Sequence, residues 1–403
     1  MNLAQLEFCQ SLTGAALLAT DLPADPLAAA ERLRRECGRE EAAAVLELRE
    51  VRRRAAASGR FPADWAGRLL ASKTMLAQAS SVRVARYVGD HLAVAGSPIV
   101  LDLCCGMGAD AIGAALAGAG VRGCDISPAA VLCAAHNAAV AGVAQRCTFE
   151  IADATAVEVA RQVIHVDPDR RADGRRHLSV AGYRPGEDFL RELPRRAAAG
   201  AIKLSPAMDY RALSDWPAIR LEYISEGGVC KQLLAWWGAA GPAAERQATI
   251  IAGDWHRPQA ITFPAGRAER IPLGEVGPYI LEADPAIIAA GALDDLAAAL
   301  TDPGRRIWRL AAALDWLTAD APATGPAIRS FRVLREVPGR TRDIAAALRE
   351  LSAAAVEVKP RGLRLDTDAL QRELSGRGDR PLVVLWCRLG AGQRAFIAER
   401  VDG

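Results

Sequence analysis

One stretch constrains the fold more than any other: Val100-Leu101-Asp102-Leu103-Cys104-Cys105-Gly106-Met107-Gly108-Ala109-Asp110-Ala111. A short apolar run meets a glycine turn and passes into an alanine-rich segment, which reads as strand, tight turn and helix start. Glycines there let the chain bend sharply and let a ligand come against the backbone. A strand that feeds directly into a helix belongs to a parallel sheet covered by helices, so the expected class is α/β. Taken alone, Gly106-x-Gly108-x-x-Ala111 also fits a dinucleotide-binding turn, and G-x-G patterns are common by chance.

The same rhythm continues downstream. Strands are expected at 99–103, 121–124, 148–151, 163–166 and 201–204 with helices between them, and further strands in 219–224, 229–237 and 248–252. Three acids fall in register with the first three strands. Asp102 lies inside the first, where a carboxylate opposes a pyrophosphate but suits an ammonium group carried beside a nucleoside; S-adenosylmethionine is such a ligand. Asp125, 23 residues after Asp102 and next to Ile126, stands where a ribose diol is chelated. Asp153, next to Ala154, follows the third strand and suits an adenine amino group.

Here Asp102-Leu103-Cys104-Cys105-Gly106-Met107-Gly108 resembles the first motif of the class I S-adenosylmethionine-dependent methyltransferases, with Asp125 as the ribose acid. The resemblance runs over about residues 98–253. It implies a Rossmann-like sheet and in-line methyl transfer from the sulfonium, a reaction governed by positioning and desolvation. The expected cofactor set is Asp102, Cys104, Gly106, Gly108, Asp125, Ile126, Asp153 and Ala154.

The acceptor side rests on Val163-Ile164-His165-Val166-Asp167-Pro168-Asp169-Arg170-Arg171. Methyltransferases acting on bases carry Asp/Asn-Pro-Pro-aromatic at this place, where carbonyl or carboxylate oxygens meet an amino group and a ring stacks on the base. This chain keeps Asp167-Pro168 but has Asp169 and Arg170 instead of the second proline and the aromatic. Asp167, with Pro168 shaping the loop, is the expected catalytic residue and orients the acceptor; Arg170, Arg171 and Lys203 are expected at the substrate. Arg175, Arg176 and Arg184 extend a basic loop that reads equally as RNA groove or solvated surface. Lys203 reads either as a pocket wall or as half of a surface ion pair. The helix around His136-Asn137 is similar to one that many RNA methyltransferases carry, and Asn137 reads equally as a group satisfying nearby backbone. Gln78 and Ser80 are candidates for closing the pocket or for helix capping. Trp236-Trp237 reads as sheet packing rather than a base-stacking platform.

With 403 residues, 51% hydrophobic, the chain is long enough for two or three cores. The expected division is a helical region over 1–95, the methyltransferase sheet over 96–270, a helical connector over 271–326 ending in Pro-Ala-Thr-Gly-Pro, and a small α+β domain over 327–403. That tail looks like the THUMP-like domain attached to a group of bacterial methyltransferases, some of which resemble trimethylguanosine synthase. From Arg329 to Gly403 there are 15 basic and 10 acidic residues, against a net charge of +2 for the whole chain. A basic appendage suits a phosphate-bearing partner, although only four of the 50 basic residues are lysines, a bias that dilutes the signal. No run approaches the ~18 apolar residues of a membrane span, and Met1-Asn2-Leu3-Ala4-Gln5 lacks a secretion-signal pattern. Nine cysteines without a C-x-x-C pair, and five histidines, supply no zinc spacing. The expectation is therefore a cytoplasmic, metal-independent enzyme that transfers methyl groups from S-adenosylmethionine to RNA, such as tRNA or rRNA. The alternatives are a protein or small-molecule acceptor, or an idle RNA-binding factor.

Overall fold

The computed structural model describes residues 1–170 and 180–401. Two compact units divide the chain: Met1–Ile224 with Gln232–Glu245 and Ile251–Ala260, and Ser225–Lys231 with Arg246–Ile250 and Ile261–Gly403.

Seven helices open the first unit: α1 (Leu3–Gln10), α2 (Leu12–Ala19), α3 (Pro26–Glu36), α4 (Arg39–Ser58), α5 (Ala63–Ala66), α6 (Lys73–Gln78) and α7 (Val82–Ala93). Short polar side chains set their starts: Asn2, Ser11, Asp25, Ser72 and Ser81 each accept a first-turn amide. The alternating elements follow as β1 (Ile99–Leu103), α8 (Ala109–Leu116), β2 (Gly120–Asp125), α9 (Pro128–Val140), β3 (Cys147–Ile151), β4 (Val163–Val166), α10 (Glu187–Arg196) and β5 (Ala199–Leu204). Then come β6 (Arg220–Glu226), β7 (Val229–Trp237), β8 (Arg246–Ala252) and β9 (Gln259–Pro264). The sheet has the order β3-β2-β1-β4-β5-β7-β6-β8-β9. From β3 to β5 neighbouring strands are parallel, and β7 returns antiparallel to β5. β1 leads to β2 on one side while β4 pairs on the other, so the chain reverses direction across the sheet between β1 and β4. In an open α/β sheet, ligands bind beyond the strand ends at such a point.

The helices of residues 1–95 pack partly among themselves, with Leu17, Leu33, Ala42 and Val45 in a small cluster of their own, and partly on the sheet. Leu48, Val51, Trp65, Val84 and Val88 pack in one cluster with Val100, Val121 and Ala201. Helices α7 and α8 meet at Gly89 and Gly113; a Cβ on Gly113 would stand 2.2 Å from the Ala85 carbonyl oxygen. Only a bare backbone permits that approach. Trp236 and Trp237 are both buried, and the Trp236 indole N–H donates to Glu222, which also accepts from the Tyr87 hydroxyl.

Asn137 on α9 is buried and makes three bonds to backbone. Its Oδ1 accepts from the Leu70 amide at 2.9 Å, and its Nδ2 donates to the carbonyls of Leu70 and Met107, each at 3.0 Å. One side chain thus ties the segment before α6 to the glycine turn. Asn137→Ala leaves these buried groups unpaired, and a loss of about 2–4 kcal/mol is expected. The urea midpoint of the variant measures it.

The second unit contains β10 (Tyr279–Ala283), α11 (Pro285–Ala290), α12 (Leu293–Leu300), β11 (Ile307–Arg309), β12 (Trp316–Ala319), β13 (Ile328–Pro338), α13 (Thr341–Glu350), β14 (Ala353–Arg361), α14 (Thr367–Leu374), β15 (Arg380–Leu389) and β16 (Gly392–Val401). Seven strands form one sheet, β11-β12-β10-β13-β16-β15-β14, antiparallel except for β14 beside β15. Ile344, Leu348 and Leu374 pack with Val384 and Trp386, while Trp316, Phe331, Leu385 and Phe396 belong to a separate cluster.

This corrects the expectation of a helical connector over 271–326. Residues Tyr279–Ala283, Ile307–Arg309 and Trp316–Ala319 are strands, and β10 pairs antiparallel with both β12 and β13. The alanines at 311–313 favour helix locally, but the β-branched and aromatic residues flanking them are consumed by sheet pairing. The Pro322–Pro326 segment joins two strands of this one sheet, where the Ser330 hydroxyl holds the Ala323 backbone, so the expected boundary at 326 falls inside the sheet.

Candidate active site

A cavity of about 720 Å³ opens beyond the ends of β1, β2 and β4. The glycine turn forms its floor. Cys104 and Gly106 adopt left-handed backbone, with φ of +61° and +54°. No atom lies within 4 Å of where a Gly106 Cβ would stand, so a side chain there would project into the space a ligand needs.

Asp125 closes β2 beside this turn. Its Oδ2 accepts from the Gly106 amide at 2.9 Å and its Oδ1 from the Ser127 amide at 2.9 Å. Each oxygen retains a lone pair for a vicinal diol. Ile126, 72% exposed, forms an apolar lip that suits a planar base. After the neighbouring strand β3, Asp153 accepts from both the amide and the hydroxyl of Thr155 through Oδ1, and these bonds lower its carboxyl below the ordinary range. Asp153 and Ala154 line the cavity beside Asp125. A floor open at Gly106, a carboxylate with spare acceptor capacity, an apolar lip and a second carboxylate fit an S-adenosyl group.

The other end of the cavity is lined by Asp167, Pro168, Asp169, Arg170, Arg184 and Pro185. Asp169 and Arg184 exchange backbone hydrogen bonds of 2.8 and 3.0 Å, fixing the two sides of this wall. Residues Ser72, Thr74, Met75, Gln78 and Ala79, in and beside α6, line the cavity as well.

Against this end lies a largely buried ionic cluster that reaches the cavity through Asp167 and Asp110. The Lys203 ammonium, on β5, donates to Asp167 Oδ2 at 2.6 Å, Ser80 Oγ at 3.0 Å and Asp110 Oδ2 at 3.3 Å. Ser80 in turn donates to Asp110 at 3.1 Å. Next to it, His165 Nδ1 and Asp102 Oδ1 are 2.7 Å apart, joined across β1 and β4 where the two residues are register partners. Both side chains are 2% exposed.

The relatives of this chain show its family. A curated protein of Mycobacterium tuberculosis, described as an uncharacterized S-adenosylmethionine-dependent methyltransferase, is 30% identical over 336 residues, covering 81% of this chain and 86% of its own. The chain belongs to the S-adenosylmethionine-dependent methyltransferases. The family model described as RNA cap guanine-N2 methyltransferase matches residues 97–170, and that described as THUMP domain-like matches residues 328–400. A crystal structure from Porphyromonas gingivalis W83, provisionally assigned as a methyltransferase, has the same fold: TM-score 0.66 at 17% identity, covering 99% of this chain and 98% of that one.

Not every expected residue of this methyltransferase reaches the cavity. Cys104, Gly106, Asp125, Ile126, Asp153, Ala154, Asp167, Pro168 and Arg170 line it; Asp102, Gly108 and Lys203 do not. Asp102 was expected to face an ammonium group, but it is 2% exposed and does not line the cavity; its Oδ1 takes His165 as a partner within the sheet, and its Oδ2 has none among the described residues. Gly108 serves packing: a Cβ there would press on Ala134 of α9 at 3.0 Å. Lys203 is neither a pocket wall nor part of a surface ion pair, being 3% exposed and spent on the cluster below. Ser80 likewise lies in that cluster, whereas Gln78 is on the cavity wall. Arg171, Arg175 and Arg176 lie outside the described residues. His165 and Asp110 were missed by the sequence reading. Their signal was a polar residue in an otherwise apolar strand for His165, and an acid in the first helical turn for Asp110.

Burial pushes the Cys104 and Cys105 thiols well above the usual range, so neither offers a thiolate nucleophile. All nine cysteines are free. Among the described residues no helix is long and apolar enough to cross a membrane, and no group of His, Cys, Asp or Glu could hold a metal ion.

The His165–Asp102 pair gives stability a defined pH dependence. Burial works against a charged imidazole, but the hydrogen bond to Asp102 and the charges of Asp110 and Asp102 outweigh it and leave His165 holding its proton above the ordinary range, while burial raises Asp102. Both groups bind protons more tightly folded than unfolded. Their contribution is complete below the unfolded values and is lost as pH rises through the folded ones. The melting temperature of the wild type is expected to fall more steeply above pH 6.5 than that of His165→Gln; parallel curves would contradict this.

Proposed function

We propose that this methyltransferase acts on RNA, with the acceptor nucleotide held against Asp167. One observation carries the reading: the cavity extends past the cofactor set to a wall with a carboxylate, Asp167, and two guanidinium groups, Arg170 and Arg184. Such a wall suits an acceptor with a proton to donate and a phosphate beside it. Arg170 Nη1 is buried without a partner among the described residues, which suits a donor to an anion.

S-adenosylmethionine supplies, when bound, an electrophilic methyl group on a sulfonium. The Asp125 oxygens hold its ribose, Ile126 packs on its base and Asp153 accepts from the adenine amino group. Cys104, Gly106 and Ala154 give it room along the floor. Asp167 Oδ1, free of partners among the described residues, accepts the acceptor's N–H or O–H and so turns the attacking lone pair toward the methyl carbon. Pro168 stiffens the loop that carries it. Methyl transfer would free one proton from the acceptor, which Asp167 Oδ1 would hold at its hydrogen bond before it passes to solvent. Gln78 and the α6 segment exclude water from this end.

Two further features support RNA. The match to an RNA methyltransferase model ends at Arg170, on this wall. In the THUMP-like tail, Lys359 and Arg361 are spent on Glu282, and Arg332 and Arg380 on Glu399, yet Arg340, Arg364, Arg377 and Arg388 have no acidic partner among the described residues and suit phosphate. Arg170 at the place of a stacking aromatic favours a second reading, a carboxylate- or phosphate-bearing small molecule or protein. Free thiols suit a reducing compartment, so the cytoplasm is the proposed location.

The test is transfer of labelled methyl groups from S-adenosylmethionine into extract of a strain lacking the protein. Ribonuclease pretreatment is expected to abolish labelling; equal labelling of treated and untreated extract would overturn the RNA reading.

A further inference from the structure

We propose that Lys203 is a positioning residue for methyl transfer: its ammonium pins one oxygen of Asp167 and leaves the other aimed into the cavity, with Asp110 and Ser80 fixing the ammonium in turn. An ammonium has three protons to donate. Here each has its own acceptor, Asp167 Oδ2, Asp110 Oδ2 and Ser80 Oγ, at 2.6, 3.3 and 3.0 Å. The three acceptors come from the loop after β4, the first turn of α8 and the link between α6 and α7. The cluster therefore joins the acceptor loop, the helix that follows the glycine turn and the segment beside the cavity-lining α6.

Burial makes this arrangement rigid. Lys203 and Asp110 side chains are 4% and 10% exposed, against 24% for Asp167. A charge at Lys203's depth is tolerated only if fully paired, so the ammonium cannot drift from its acceptors and Asp167 Oδ2 cannot rotate away. Lys203 holds its proton above the usual lysine range and Asp110 is held below the usual carboxylate range, the charged forms of both being favoured by their mutual attraction. Asp167 is oriented from below and free above. That is the requirement for directing an acceptor lone pair, where a displacement of about 1 Å costs on the order of a hundredfold in rate.

This inference rests on Asp167 being the acceptor acid, and not on the acceptor being RNA. Lys203→Met alone strands a buried carboxylate at Asp110 and is expected to lower stability sharply. The informative protein is the double variant Lys203→Met/Asp110→Asn, in which both buried charges are gone. Its melting temperature should return to within a few degrees of the wild type, and its calorimetric affinity for S-adenosylmethionine should stay within about threefold. Its kcat for labelling extract should remain about a hundredfold down, whether or not ribonuclease removes the label. Recovery of kcat together with stability would reduce Lys203 to a structural ion pair and overturn the proposal. Loss of S-adenosylmethionine binding in the double variant would also overturn it, by moving the cluster to the cofactor. Labelling by wild type that survives ribonuclease would overturn the RNA reading alone.

Discussion

Asp125→Ala is expected to abolish measurable S-adenosylmethionine binding. Two charge-assisted hydrogen bonds to the ribose hydroxyls are removed, each worth roughly 1.5–3 kcal/mol, or about a hundredfold or more in affinity together. The Gly106 and Ser127 amides also lose their acceptors, so the glycine turn loses the tie that shapes the cavity floor. Isothermal calorimetry reads the loss directly, and binding within about threefold of wild type would remove Asp125 from the cofactor site. Asp125→Asn keeps one acceptor oxygen and should fall between the two.

Asp167→Ala is expected to show the opposite profile. S-adenosylmethionine affinity should stay within about threefold, while kcat for methyl transfer drops by about a hundredfold or more, the usual consequence of losing a group that orients or accepts a proton in the transition state. The variant keeps Lys203 paired to Asp110 and Ser80, so its fold should survive. A fall in affinity matching the fall in rate would place Asp167 with the cofactor instead. The two variants together separate the ends of a single cavity.

The parts of this site that sequence made legible are those whose chemistry is local. Gly106 and Asp125 announce themselves because a glycine turn after an apolar strand, and an acid at the next strand end, are determined by neighbours in the chain. Asp102 shows the limit of that reasoning. Its position inside a strand was visible, but its partner His165 is 63 residues away and is brought alongside only by β1–β4 pairing. The same holds for Lys203, whose acceptors lie on three separate segments. Nothing local distinguishes a buried cluster lysine from one on a pocket wall.

In the second unit the difficulty was propensity. Ala311-Ala312-Ala313 and its neighbours read as helix by composition, yet β10 offers antiparallel edges that Trp316-Leu317-Thr318 fills. Non-local pairing outweighed the roughly half a kcal/mol per residue that separates helix formers from strand formers. The Pro-rich segment before β13 was misread for a related reason, since a turn within a sheet and a linker between domains use the same residues.

The RNA reading is tested most directly by nucleoside mass spectrometry of RNA from cells with the protein, without it, and complemented by wild type or Asp125→Ala. It predicts one methylated nucleoside that disappears without the protein, returns with wild type and does not return with Asp125→Ala. An identical nucleoside profile in all four strains would contradict it.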